Sequence, residues 1–187
     1  MSDTPKYLQD SKKLLSEEGF AINGTWYHGT SSALWGSIQK FGLKRSGDRD
    51  LKQAAKKTMA TIGNKYTETI EPVFLTQSKE LAYYWAQQSV RERGVRFEGE
   101  EKPVVVQINL PDSLKEKVKP DVGAMSLLLL EDGEKYLAYI TKLRQSIGLS
   151  ELNIDLKSAD RMAYLELLGM AYIDQDIDVS CLKLIEG

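Results

Sequence analysis

The chain has a single cysteine, Cys181, and a single histidine, His28, among its 187 residues. One cysteine excludes an internal disulfide, as is usual in a reducing compartment. One histidine excludes a metal site built from several histidines. The longest apolar run, residues 127–130, is far too short to span a bilayer, and the first residues lack the apolar core of a signal peptide. We therefore expect a soluble protein with no membrane contact, either cytoplasmic or delivered into the cytoplasm of a target cell.

Composition favours one compact domain over residues 1–187, because 42% of the residues are hydrophobic and 28% are charged. The net charge is only -2, but it is unevenly distributed. Residues 44–65 hold seven basic and two acidic side chains, and residues 151–187 hold eight acidic and three basic ones. Such a pattern can steer a phosphate-bearing ligand or a nucleic acid to the basic side. The simpler interpretation is a solvated helix over residues 51–59 with its lysines facing water.

Helical and extended patterns alternate along the chain. Helices are predicted over residues 5–18, 32–41 and 79–86, and over residues 126–147 with an interruption near Asp132 and Gly133. Thr30, Ser31 and Ser32 supply candidate N-cap hydroxyls for the second helix, and Ser78 is the expected N-cap of the third. Strands are predicted over residues 20–28, 73–75, 104–110, 164–168 and 177–185. This alternation predicts an α+β domain.

His28 lies in the run His28-Gly29-Thr30 at the end of a predicted strand. A lone histidine there would work as a single hydrogen-bonding group, and the glycine beside it would let a ligand approach the backbone. The simpler interpretation is a histidine with a purely structural role.

Glu166 is the only charged residue within the apolar run of residues 164–168. In a strand, its side chain would be either exposed on one face or desolvated at considerable cost. An ordinary outward-facing residue is the simpler alternative.

At three places the chain resembles the ADP-ribosyltransferase family, in the H-Y-E branch that includes diphtheria-toxin-like enzymes and poly-ADP-ribose polymerases. The first motif is His28-Gly29-Thr30, followed by a helix that ends at Gly42-Leu43. The second is the strand with Phe74, followed by a helix with Tyr84 and Trp85. The third is Glu166, as a glutamate that opens a strand. Phe74 stands where the family has tyrosine, which keeps a stacking face and removes a hydroxyl.

The resemblance implies an ADP-ribosyltransferase-like split β-sheet and NAD+ as co-substrate, without a metal. Glu166 would be the main catalytic residue and would stabilise the positive charge that develops on the ribose when nicotinamide leaves. His28 would hydrogen-bond the other ribose. The Gly29 backbone would hold the nicotinamide carboxamide, with Thr30 in the same motif. Phe74 would stack on the nicotinamide ring, with Tyr84 or Trp85 on its other side, although core packing is the alternative for these aromatic residues.

The implied activity is mono-ADP-ribosyl transfer to a macromolecular acceptor, a protein or a nucleic acid. A toxin, an effector or a phage-conflict protein would fit this activity, with an inhibitory partner in the case of a toxin. Tyr164, two residues before Glu166, disfavours an arginine-directed enzyme. Two alternatives stay open: a catalytically silent module that binds NAD+ or ADP-ribose, and an RNA 2'-phosphotransferase. The second alternative would rely on arginines, for which the candidates are Arg45, Arg49, Arg91, Arg93 and Arg96.

Overall fold

Six strands form one antiparallel sheet in the computed structural model, which describes residues 4–61, 70–121, 131–155 and 158–187. The strands are β1 (Thr25–Ser31), β2 (Val73–Thr76), β3 (Pro103–Asn109), β4 (Lys119–Pro120), β5 (Met170–Ile173) and β6 (Leu182–Leu184). Their order across the sheet is β4-β5-β2-β1-β3-β6. The α+β class predicted from the sequence is confirmed in this general form.

Seven α-helices surround the sheet within the described ranges. They are α1 (Ser11–Leu14), α2 (Ser32–Phe41), α3 (Arg49–Thr61), α4 (Lys79–Gly94), α5 (Asp112–Lys115), α6 (Glu131–Gln145) and α7 (Arg161–Leu168). None of these helices has the length and apolar character needed to cross a membrane.

Helices α2 and α4 pack on opposite faces of the sheet. Successive residues of β1 point to opposite sides, so this strand contacts both helices. Trp26 packs with Ile38 of α2 in one buried cluster. Gly29 faces α4 so closely that a Cβ atom built there would lie 1.8 Å from the Ala82 carbonyl oxygen. The glycine therefore allows α4 to lie directly against the strand.

Of the three candidate caps of α2, the structure selects Ser31, and the predicted cap of α4, Ser78, is confirmed. The Ser31 hydroxyl accepts a hydrogen bond from the Ala33 backbone N–H, and the Ser78 hydroxyl accepts one from that of Leu81. Both serines satisfy amide groups that the first turn of a helix leaves without a partner.

The strand predicted over residues 164–168 is wrong: these residues belong to α7. Asp160 caps the helix by accepting a hydrogen bond from Met162 N–H, and Gly169 ends it with a left-handed φ of +65°. Tyr164, Leu165 and Leu168 are buried at helical spacing. Glu166 therefore lies on an exposed helix face and does not open a strand.

Other boundaries also differ from the predictions, and α4 continues to Gly94 instead of ending near residue 86. In place of one helix over residues 5–18 there are a 3-10 turn, Lys6–Leu8, and the single turn of α1. Asp132 and Gly133 lie in the first turn of α6, which begins at Glu131. The extended segment predicted over residues 20–28 is a strand only from Thr25 onward, and this strand, β1, continues to Ser31. Residues 177–185 contain a 3-10 turn, Val179–Cys181, before the short β6. Part of the helix predicted over residues 126–147 lies outside the described residues.

Candidate functional site

Strands β1 and β2 meet at one point and then separate. Along its other edge β1 pairs with β3 over its whole length, from Thr25 to Ser31. Within the described residues its pairing with β2 is limited to Tyr27 and Thr76. The antiparallel register would next place Gly29 opposite Phe74. At this point the His28 side chain bridges the two strands: its Nδ1 lies 2.9 Å from the Phe74 carbonyl oxygen.

A two-lobed cleft opens on either side of this bridge, and each lobe has a volume of about 530 Å³. We call them the α2 lobe and the α4 lobe, after the helices that line them. Both lobes are lined by His28, Gly29, Phe74 and Ser89. Each has the size of an ordinary small-molecule site. The sequence motif around His28 and the strand with Phe74 thus meet where the two lobes join.

Phe74 presents an aromatic face to this cleft. Its neighbours in β2, Val73 and Leu75, are buried, whereas Phe74 is 44% exposed. A large apolar side chain at the wall of a cleft, between two buried neighbours, is a natural platform for a flat ring.

The hydrogen bond to Phe74 fixes the tautomer of His28. A carbonyl oxygen can only accept, so Nδ1 carries the proton and Nε2 of the neutral ring is an acceptor. Burial lowers the pKa of His28, and the bond to the Phe74 carbonyl opposes this effect in part. At neutral pH the ring is therefore uncharged and can accept a hydrogen bond from a ligand hydroxyl.

Gly29 and Thr30 complete the first motif, and both line the α2 lobe. The Thr30 side chain is buried. The absence of a side chain at Gly29 is required by the approach of α4, a constraint that the sequence does not reveal.

The two aromatic residues of the second motif have different surroundings. Tyr84 is buried and stacks on Tyr139 with ring centres 5.0 Å apart. Trp85 packs against Tyr136 and lines the α4 lobe. The structure therefore places Trp85 at the cleft wall and Tyr84 in the core behind it.

The structure does not bring Glu166 to the cleft. Its side chain is exposed on α7 and lines neither lobe. Its backbone carbonyl accepts a hydrogen bond from Phe20 N–H at 2.6 Å, which ties α7 to the segment before β1. His28 and Phe74 thus share a site, and Glu166 lies outside it.

The basic and acidic regions of the sequence contact each other in the fold. Lys44 Nζ lies 3.2 Å from an Asp176 carboxylate oxygen, and the Arg45 backbone N–H donates to the same side chain. The five candidate arginines do not converge on one point. Arg49 lines the α2 lobe and Arg91 the α4 lobe, whereas Arg93 is buried in ion pairs with Asp48 and Glu101.

One buried carboxylate of the cleft was not anticipated from the sequence. Asp121 follows β4, lines the α4 lobe and is only 4% exposed. No motif singles it out, because its place in the lobe depends on the pairing of β4 with β5. Over the ranges that the structure describes, no group of three or more His, Cys, Asp or Glu side chains could hold a metal ion.

Comparisons of the chain with protein families, with curated proteins and with solved structures gave no match.

Proposed function

We propose that this chain is a mono-ADP-ribosyltransferase that binds NAD+ across the gap between β1 and β2. It would transfer ADP-ribose to a macromolecular acceptor, a protein or a nucleic acid. The observation that carries the proposal is the hydrogen bond from His28 Nδ1 to the Phe74 carbonyl. This bond joins the His28 ring to the backbone of Phe74 at the junction of two lobes, and both residues line both lobes.

A dinucleotide has two nucleoside halves, and two joined lobes suit such a ligand. Nε2 of His28 would accept a hydrogen bond from a ribose hydroxyl, and the Gly29 backbone would contact the carboxamide of nicotinamide. Phe74 would stack on the nicotinamide ring, and such an aromatic contact contributes about 0.5 to 1.5 kcal/mol beyond burial. Trp85 would form the wall of the same lobe.

The exposed position of Glu166 favours a second candidate, a module that binds NAD+ or ADP-ribose without turnover. Nicotinamide leaves the ribose through a cationic transition state, which a fixed carboxylate beside the ribose stabilises. A carboxylate on the outer face of α7 is not placed to do this. The two candidates share the binding site and differ in whether nicotinamide is released.

An RNA 2'-phosphotransferase has less support. That activity would need several arginines around one phosphate, and only Arg49 and Arg91 of the five candidates line the cleft, in different lobes. Incubation with a 2'-phosphorylated RNA and NAD+ tests this activity directly, and we expect the 2'-phosphate to stay on the RNA.

The test of the transferase is incubation with NAD+ labelled in its adenosine half, together with a cell lysate split into protein and nucleic-acid fractions. We expect nicotinamide release and label in one of the two fractions. Nicotinamide release without label in either fraction would indicate a hydrolase. Binding of NAD+ without nicotinamide release would support the silent module.

A further inference from the structure

We infer that Asp121 is the carboxylate that stabilises the ribose cation in this cleft, in the role that the sequence motif gave to Glu166. The inference rests on the proposed function, and it assigns the catalytic charge to a different part of the fold.

Asp121 is held at the sheet by its backbone. Strand β4 pairs with β5 through Lys119 with Tyr172 and Pro120 with Ala171. The Asp121 backbone N–H continues this ladder by donating to the Met170 carbonyl at 3.1 Å. The position of its Cα is therefore set by regular strand pairing.

A row of residues paired across neighbouring strands connects Asp121 to the point where β1 and β2 separate. Met170 pairs with Thr76, and Thr76 pairs with Tyr27. At about 4.8 Å per strand, the Asp121 and Thr76 backbones are about 10 Å apart. Phe74 points to the same face as Thr76, because it lies two residues away in one strand. A nucleoside stacked on Phe74 can thus extend across β5 towards Asp121.

Burial distinguishes Asp121 from the other acidic residues of the cleft. The acidic residues that line the two lobes are Asp48, Asp50, Glu71, Glu92 and Asp121. Asp48 is only partly buried. Asp50, Glu71 and Glu92 are exposed, so water weakens their charge. Asp121 is buried, and a charge in such a place acts on a nearby cation with less screening.

The chemistry requires a fixed negative charge and no redox partner. The bond between C1' of the ribose and the nicotinamide nitrogen breaks, and its electron pair leaves with nicotinamide, which departs neutral. The positive charge passes to the ribose. In its ionised form, Asp121 would accept a hydrogen bond from a ribose hydroxyl and stabilise this charge. A nucleophile of the acceptor, or water, then donates an electron pair to C1' and releases its proton to the solvent.

The test compares nicotinamide release by the wild-type protein and by Asp121→Asn, with NAD+ binding measured on both by calorimetry. We expect release to fall by about 100-fold or more, as when one well-placed electrostatic partner is removed, with NAD+ affinity little changed. Glu166→Gln should release nicotinamide at the wild-type rate. Asp112→Asn, an Asp-to-Asn change at an exposed residue that lines neither lobe, is the matched control.

Three results would overturn the inference: wild-type release by Asp121→Asn, loss of release by Glu166→Gln with NAD+ binding intact, or NAD+ binding by the wild type without release. The Glu166→Gln result is informative even if Asp121→Asn does not fold. Asp121→Glu keeps the charge, and partial activity of this variant would support the inference. Failure of the wild type to bind NAD+ would instead remove the proposed function itself.

Discussion

At the scale of single residues, the two ring nitrogens of His28 have different roles, one in the fold and one in the proposed ligand site. Nδ1 donates to the Phe74 carbonyl and joins two strands that are separating, which leaves Nε2 as the acceptor at the cleft. The structural and functional interpretations of this histidine are therefore compatible. The fold uses one nitrogen, and the proposed ligand would use the other.

The protonation of His28 can be measured without ambiguity, because it is the only histidine of the chain. Burial lowers its pKa, so we expect an NMR titration midpoint below the ordinary value of 6.5 and nitrogen shifts typical of the Nδ1–H tautomer. As the pH falls through 6.5, the unfolded chain takes up a proton before the folded protein does, so His28 contributes a loss of stability on acidification. A midpoint above 6.5, or an Nε2–H tautomer, would contradict this assignment.

Gly29 also has a structural role in addition to the proposed contact with the ligand, because β1 and α4 touch at this residue. In Gly29→Ala the new Cβ would meet the Ala82 carbonyl oxygen at 1.8 Å, so α4 must move. We expect the free energy of unfolding in urea to fall by about 1 to 3 kcal/mol or more. Gly36→Ala in α2 is the matched control, since no atom lies within 4 Å of its new Cβ. Because alanine has a higher helix propensity than glycine, Gly36→Ala should leave the free energy of unfolding unchanged or raise it by up to about 1 kcal/mol. Equal effects of the two substitutions would refute the close-packing account of Gly29.

At the scale of elements, the end of α4 is tied to the rest of the cleft by a buried arginine. Arg93 donates hydrogen bonds to two carboxylates, from Nε to Glu101 at 2.8 Å and from Nη1 to Asp48. The Ser31 hydroxyl donates a further hydrogen bond to Glu101. Arg93 lowers the pKa of Glu101. One guanidinium thus connects α4 with the loop before α3, which lines the α2 lobe, and with the segment before β3.

Substitution of Arg93 should lower the free energy of unfolding considerably. Arg93→Met leaves two carboxylates without their cation, and breaking a buried ion pair typically costs about 3 to 5 kcal/mol. Arg96→Met, at an exposed arginine three residues further along, should change stability by no more than about 0.5 kcal/mol. Urea unfolding of both variants checks this expectation. If Arg93→Met were as stable as Arg96→Met, the ion pairs would not hold the end of α4 in place.

Local chemistry decided which elements could be predicted from the sequence. Ser78 and the run that contains Ser31 lie just before helical patterns, and the sequence identifies these capping positions because capping depends on neighbouring residues alone. Residues 164–168 were misassigned because a short apolar run fits a strand and a buried helix equally well. Asp160 and Gly169, the residues that begin and end α7, were the features that distinguish the two. Asp121 could not be predicted, since it reaches the cleft only through the pairing of β4 with β5.

At the scale of the whole molecule, the fold brings the first two motifs of the sequence together and separates the third from them. His28 and Phe74 come from strands far apart in the chain and meet where the sheet splits. Glu166 lies on the outer face of α7. We therefore propose that NAD+ binds where His28 and Phe74 meet, and that Asp121 supplies the catalytic charge.

The most direct test of the central claim is a calorimetric titration of NAD+ into the wild-type protein and Phe74→Ala. We expect one NAD+ to bind per chain. Loss of the aromatic face should weaken binding by about tenfold, which corresponds to roughly 1.4 kcal/mol. Tyr7→Ala, at an exposed aromatic residue that lines neither lobe, should bind like the wild type. No binding of NAD+ by the wild type, or equal affinity of the wild type and Phe74→Ala, would contradict the account.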